Sequence, residues 1–293
     1  MRDIVQLVVQ SVLLGGVYAL LSLGLNLIFG VTRIVIFVYG ELVMLFMYVG
    51  FLFWKHSGID PYYALPLLLL VAVGSGALLY DLLFRRLVRA GHLAQILATL
   101  GLSYALQNLA QLAWTADVQS VRSAWNGYSI HLARGNISAP SLIACVVGLL
   151  AATGLLQYLR RSNGGLAMRA VAQDRTGAEL VGIPLDRIYR LTLVLATMLV
   201  ALSATFMLPL FSVYPTVGLD FVLIAFVVVV LGGMGSIAGG IAAAFIISLI
   251  QNFSGYFFGI EWQDVVYFAV FVLTLLFRPA GLAGVRGTEQ LGE

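Results

Sequence analysis

Glu41 is the residue of this chain whose chemistry fits its neighbourhood least. It follows Gly40 inside an apolar run that extends to Trp54. An acid in such surroundings is costly, so it is expected to be paired or to face a polar cavity. Arg33 lies about two helical turns earlier and is the expected partner if the pairing is structural; otherwise Glu41 lines a polar path. A second tract is Leu231-Gly232-Gly233-Met234-Gly235-Ser236-Ile237-Ala238-Gly239-Gly240. Its glycines permit backbone conformations closed to other residues. Gly235-x-x-x-Gly239 and Ser236-x-x-x-Gly240 also allow a neighbouring helix to approach closely. Tight helix packing is one reading, and a broken helix whose free backbone groups line a path is the other. The third tract is 164–190, the longest water-compatible run between apolar blocks. It follows Arg160-Arg161 and carries Arg169, Arg175, Arg187 and Arg190.

Other chemistries are excluded by what the chain lacks. Cys145 is the only cysteine, so there is no intrachain disulfide and no cysteine-based metal site. His56, His92 and His131 are isolated from one another. The only lysine, Lys55, is followed by His56, so no Gly-x-x-x-x-Gly-Lys-Ser/Thr phosphate loop exists and any ATP chemistry must sit on another chain. No catalytic, cofactor or metal residues are expected. The formal charge of +3 is spread over loops and does not point to nucleic acid.

The elements that must hold these tracts follow from composition. Of the 293 residues, 61% are hydrophobic and 10% charged, where soluble domains carry roughly 25% charged. A lipid bilayer is the solvent this requires. The expected fold is all-α: one polytopic helix bundle over 1–293 with about eight spans and broken or re-entrant helices at two glycine-rich tracts. The apolar arms are 4–30, then a break at 30–40 and a second arm to 54, then 62–84, 93–114, 140–159, 188–211, 221–231, 237–253 and 265–277. Ser138 is the expected N-cap of the arm from 140, and Asp186 of the arm from 188. The first arm has almost no basic lead and no small-residue cleavage site, so it is expected to remain as a span. Asn126-Gly127 signals a tight turn within the polar loop 115–139.

Three basic clusters are Arg85, Arg86 and Arg89; Arg160, Arg161, Arg169, Arg175, Arg187 and Arg190; and Arg278 and Arg286. They hold 11 of the 16 Lys+Arg residues, which places them, and the C-terminus, in the cytoplasm. The loop 115–139 is then external. Gly58-Ile59-Asp60 and Gly259-Ile260-Glu261 each precede a span ending in arginine, a faint internal echo. Within 164–190, Met168, Val171, Ala172, Ala178, Leu180 and Val181 are apolar, while Arg169, Gln173, Asp174, Arg175 and Glu179 are polar. Thr176-x-x-Glu179 fits a capping box, and Gly182-Ile183-Pro184 a helix stop. Two short helices, or one bent helix, are expected along the cytoplasmic face, with an apolar face suited to a partner's groove.

The chain resembles the branched-chain amino-acid class of ABC-importer permeases. The resemblance rests on Tyr18-Ala19-Leu20 through Gly24-Leu25-Asn26-Leu27-Ile28-Phe29-Gly30 to Phe37 and Gly40-Glu41; on Arg169-Ala170-Val171-Ala172-Gln173-Asp174 through Leu180-Val181-Gly182-Ile183; on Val230-Leu231-Gly232-Gly233-Met234-Gly235-Ser236-Ile237; and on Arg278-Pro279-Ala280-Gly281-Leu282. It implies a bacterial inner-membrane subunit that works with a second permease, two ATP-binding subunits and a periplasmic solute-binding protein. It also implies an ATPase-coupling loop within 160–190, with Arg169, Asp174, Arg175, Glu179 and Gly182, and a path that includes Asn26, Gly30, Glu41, Gly232, Gly233, Gly235 and Ser236. Family members often carry Asn-Phe-Ala-His-Gly-Glu where this chain has Ile36-Phe37-Val38-Tyr39-Gly40-Glu41, and a proline where it has Ala238. Relatives that move urea or short amides keep the solute open. An ion-coupled secondary transporter using Glu41 is the rival class. Asp117, Arg122 and Arg134 are expected contacts for the solute-binding protein.

Overall fold

The computed structural model describes residues 2–284 apart from 35, 122, 133, 134 and 279. Arg122, Arg134, Pro279 and Arg286 therefore lie outside the described residues. The fold is an all-α bundle with one short hairpin. Helix α1 (Arg2–Thr32) runs through its centre, with every residue from 15 to 29 buried. A helix enclosed on all sides must be apolar all round, which is why this segment shows no amphipathic pattern. Helices α6 (Ala139–Arg161), α9 (Leu185–Met207), α10 (Val217–Gly232) and α11 (Ile237–Phe258) pack around it. At the α1–α6 crossing a Cβ on Gly16 would lie 2.7 Å from the Cys145 Cα, and one on Gly148 would lie 2.5 Å from the Gly16 carbonyl oxygen. Only small residues let two backbones meet this closely.

Helix α2 (Tyr39–Ser57) does not start where α1 ends. The chain turns at Arg33 and runs back along α1, so that the Tyr39 hydroxyl donates to the Leu21 carbonyl and Gly40 abuts Gly218. The first turn of α2 is thus buried inside the bundle. A 3-10 turn (Pro61–Ala64), α3 (Leu65–Leu79), a π turn (Tyr80–Phe84) and α4 (Arg85–Leu87) form one continuous helical run. Helix α5 (His92–Trp114) returns along the bundle, and Trp114 stacks on Tyr48 with ring centroids 4.5 Å apart. Beyond it, a 3-10 turn (Ala124–Gly127) leads into β1 (Ser129–Leu132) and β2 (Gly135–Ser138), which pair antiparallel. The Asn-Gly pair therefore lies in the 3-10 turn, not in the hairpin's connection. Asp60 Oδ2 ties this hairpin end together, accepting from Ser123 Oγ at 2.5 Å and Ala124 N at 2.9 Å.

The opposite end is rich in arginine. There α7 (Asn163–Gln173) and α8 (Arg175–Leu180) form the two short helices expected. Arg85 and Arg89 reach Asp186 at 3.6 and 3.9 Å, Arg190 reaches Asp81 at 3.0 Å, and the Tyr80 hydroxyl donates to Asp186 Oδ1. These contacts join α4 and the π turn to α9, so the first two basic clusters share one end. Of the third, Arg278 leads into a segment held at the same end, where Leu282 N and Ala283 N donate to the carbonyls of Leu231 and Gly232 at the end of α10. Helix α12 (Gln263–Phe277) leads into that segment.

Several expected boundaries change. Six described helical stretches are long and apolar enough to cross a membrane, where about eight spans were expected. Helix α10 has only 16 residues. Helix α5 has the length but carries polar side chains on one face. The arm expected over 188–211 ends at Met207, because Pro209 has no N–H to continue the helix. Asp186 does not cap α9: Pro184 occupies the N-cap, and Asp186 sits in the first turn facing cations. Ser138 holds the N-cap position of α6, but its hydroxyl donates to Ser141 Oγ instead of accepting from the backbone. The internal echo has a local basis: Gly58 and Gly259 both adopt positive φ (67° and 100°), and each stands just before a 3-10 turn that opens a helical run.

Candidate functional site

The candidate path residues fall into two groups. The first surrounds the break between α10 and α11. Asn26 on α1 spans it: its amide nitrogen donates to the Ser236 carbonyl at 2.9 Å, and its Oδ1 accepts from Gly235 N at 2.9 Å. Gly30 lies against Gly235, with a Cβ there only 2.9 Å from the Gly235 Cα. Gly233 and Gly235 carry the positive φ values, 100° and 84°, that turn the chain. Ser236 caps α11 by accepting from Gly239 N at 3.1 Å. Gly232 packs on Gly239. Backbone groups freed by the break are thus taken up by Asn26 and by the C-terminal segment. Asn26→Ala should leave Gly235 N unpaired, while Ser236 O keeps its bond from Gly240 N at 2.8 Å; the cost is toward the low end of about 1–3 kcal/mol because the site is only part-buried. A lower unfolding temperature of the purified chain in detergent is the expected result; an unchanged one would mean that solvent already satisfies this group.

Arg169 belongs to this group too. With Asn26, Gly30, Met168 and Gly235 it lines a cavity of about 70 Å³. Helix α7 buries Gly165, Met168 and Val171, so it rests directly on the junction of α1 and the break.

The second group centres on Glu41, which the structure does not bring to the break. Glu41 is fully buried in the first turn of α2, where the helix N-terminus favours an anion. Its Oε1 accepts from Gln107 Nε2 at 2.7 Å and from Ser103 Oγ at 3.0 Å, both on α5. Its Oε2 has no hydrogen-bond partner among the described residues and faces Gly218, where a Cβ would lie 2.7 Å away. The expected pairing with Arg33 does not form. No single helix links them: α1 ends at Thr32, Phe37 and Val38 form a turn and α2 starts at Tyr39, while the Arg33 guanidinium donates to the Ala172 carbonyl at 2.9 Å.

Gln107 and Ser103 were missed in the sequence. They belong to a line of buried polar residues on α5, Gln95, Thr99, Ser103 and Gln107, while Leu93, Leu97, Leu109 and Leu112 are exposed. Four polar residues at intervals of four form one stripe on a helix. That spacing was the available signal, and an apolar outer face with a polar inner one is the arrangement expected for a helix between lipid and a path.

Residues Asp174, Arg175, Glu179 and Gly182 shape α8. Asp174 is the actual cap, its Oδ1 accepting from Thr176 N at 2.9 Å, so the expected Thr176–Glu179 capping box does not form; an earlier acceptor starts the helix first. Gly182, at φ 85°, ends it with two bonds, Gly182 N to the Glu179 carbonyl and Ile183 N to the Ala178 carbonyl, both 3.0 Å. This is a Schellman closure, which a residue with a side chain adopts only with strain. The result is a stiff knob that presents Leu180, 84% exposed, and Val181, 76% exposed, to the outside.

The geometry describes a helix bundle with a buried carboxylate, a polar stripe and an apolar knob, and comparison with known proteins agrees with it. A family model described as the branched-chain amino acid transport system / permease component matches residues 7–275. The high-affinity branched-chain amino acid transport system permease protein LivH of Escherichia coli (strain K12) is 29% identical, with 96% of each chain covered. BraD, the corresponding permease protein of Pseudomonas aeruginosa, is 28% identical, over 98% of this chain and 97% of its own. The probable branched-chain amino acid transport permease protein LivH of Methanocaldococcus jannaschii is 24% identical, over 94% and 91%. No solved structure matches. The chain is a multi-pass membrane protein and belongs to the branched-chain amino acid transport permease family.

Proposed function

We propose that this chain is the permease subunit of an ATP-driven importer of branched-chain or related amino acids, in the bacterial inner membrane, with its arginine-rich end in the cytoplasm. The observation that carries the reading is the capped α8 knob with Leu180 and Val181 exposed on the cationic end. A free apolar pair on a rigid helix is what a partner groove receives. The partner is an ATP-binding subunit, since this chain has no phosphate loop. Its closure pushes on α8 and α7, and α7 passes the movement to the α1 end and the glycine break on which Met168 and Val171 rest. The bundle then alternates between two arrangements, biased by the partner.

In this reading the solute follows the α5 stripe, and Glu41 Oε2 receives its ammonium group. An unpaired carboxylate oxygen inside an apolar bundle matches a cationic group on a small solute. Helix α5 is then a seventh crossing, while α2 and α10 meet at Gly40 and Gly218 as half-crossings. A second permease completes the membrane pair, and a periplasmic solute-binding protein delivers at the hairpin end, where Asp117 lies exposed. The whole chain acts as one domain.

Reconstitution tests this. Vesicles with this chain, its partner permease, both ATP-binding subunits and the solute-binding protein should accumulate labelled leucine only with ATP. Uptake by this chain alone, driven by a proton or sodium gradient, would establish the secondary-transporter reading instead.

A further inference from the structure

A cavity of about 240 Å³ opens at the arginine-rich end, separate from Glu41 and from the glycine break. It is lined by Arg33, His92, Gln95, Arg175 and Tyr189, with Val171 and Val88 on its apolar side. Neither Arg33 nor Arg175 has a carboxylate partner among the described residues. Arg175 sits over the Tyr189 ring, 5.8 Å from its centroid, and Arg33 is held by the Ala172 carbonyl. Both guanidiniums are thus oriented while still able to bind an anion. Gln95 supplies the opposite chemistry. It is buried, its Nε2 is used by the carbonyls of Leu87 and Ala90 at 3.0 Å, and its Oε1 has no partner among the described residues. A buried acceptor left open beside two free cations calls for a ligand that brings both an anion and a donor.

The backbone points the same way. Arg33 adopts φ 55°, a conformation that suits glycine and costs a residue with a Cβ. A side chain kept there despite that cost has work beyond ending α1.

We infer that this cavity binds a free α-amino acid from the cytoplasmic side, its carboxylate between Arg33 and Arg175 and its ammonium on Gln95 Oε1, with the apolar side chain toward Val171 and Val88. This rests on the permease reading for the identity of the ligand and for which side the cavity faces. Occupancy ties Arg33, on the end of α1, to Arg175, the first residue of α8. It therefore restrains the unit that the ATP-binding partner must move, and accumulated product slows its own import.

The test is equilibrium binding of labelled leucine to the full chain in phosphatidylcholine nanodiscs, without partners or ATP. Glu41→Gln, which removes the ammonium partner on the transport path, should still bind one leucine per chain. Leucinamide, which lacks the carboxylate, and 4-methylpentanoate, which lacks the ammonium, should each compete at least tenfold less well than leucine. Arg33→Gly should weaken binding at least tenfold while leaving the unfolding temperature intact, because glycine suits that φ. Gln95→Met should weaken leucine but not 4-methylpentanoate. Each of these variants is made in the Glu41→Gln chain, so leucine held on the transport path does not contribute to the signal. No binding by the folded Glu41→Gln chain, binding there that Arg33→Gly and Gln95→Met leave unchanged, or inorganic phosphate competing as well as leucine would each overturn the assignment.

Discussion

Glu41→Gln should cut ATP-driven leucine uptake by about 10- to 100-fold while leaving the bundle intact. Glutamine is nearly the same size, and its carbonyl oxygen can still accept from Gln107 and Ser103, so the α2–α5 contact survives. What disappears is the charge on the oxygen that faces Gly218 without a partner. A hydrogen bond to a charged group contributes about 1.5–3 kcal/mol, and each 1.4 kcal/mol is tenfold in affinity. Initial rates in the reconstituted vesicles measure this directly. Glu41→Asp keeps the charge but draws it back by one methylene, so an intermediate rate is expected. Uptake at the unmodified rate in Glu41→Gln would mean that the carboxylate is structural and that the solute passes elsewhere.

Leu180→Asp combined with Val181→Asp should detach the chain from the ATP-binding partner proposed for α8. Both side chains are exposed, so the isolated chain loses almost nothing; surface substitutions typically stay within about 0.5 kcal/mol. In the complex each buried aliphatic side chain contributes about 1.5–3 kcal/mol, and two acids in an apolar groove add a desolvation cost. A fall of at least about 100-fold in partner affinity follows. Co-purification of the ATP-binding subunit, and the stimulation of its hydrolysis by loaded solute-binding protein, are the measurements. Gly182→Val probes the same surface by another route. A side chain at φ 85° opposes the Schellman closure and tilts the knob without altering its apolar residues. Retained partner binding and hydrolysis in both variants would move the docking surface away from α8.

Much of this protein was legible in its sequence, for identifiable reasons. Helix stops and starts that depend on neighbouring residues were readable: Gly182 before Pro184 and the break at Gly232 to Ser236 lie where local chemistry puts them, whereas the run expected to close at Arg85 and Arg86 continues to Leu87. The two amphipathic helices before Pro184 were readable because a cationic segment between apolar blocks needs a reason for its apolar residues. The capping box at Thr176 was misread because Asp174 offers a stronger acceptor two residues earlier, and the first competent cap starts the helix. The stripe Gln95, Thr99, Ser103 and Gln107 went unread because an apolar average conceals a periodic minority.

The partner of Glu41 could not be read from the sequence at all. Spacing along one helix suggests Arg33, but the helix breaks between them and the chain folds back along α1, which carries Glu41 to residues 62 and 66 positions away. The linear order of residue types therefore determined that this is a membrane bundle with a cationic end, where its helices break, and that it carries no phosphate loop, since hydropathy, capping and short motifs act over a few residues. Only the tertiary structure decided which polar groups meet: Asn26 with the glycine break, Glu41 with α5, and Arg33 with Arg175 around one cavity. Those meetings depend on how backbones cross, and crossings are set by close approaches such as Gly16 on Gly148 and Gly40 on Gly218, far apart in sequence.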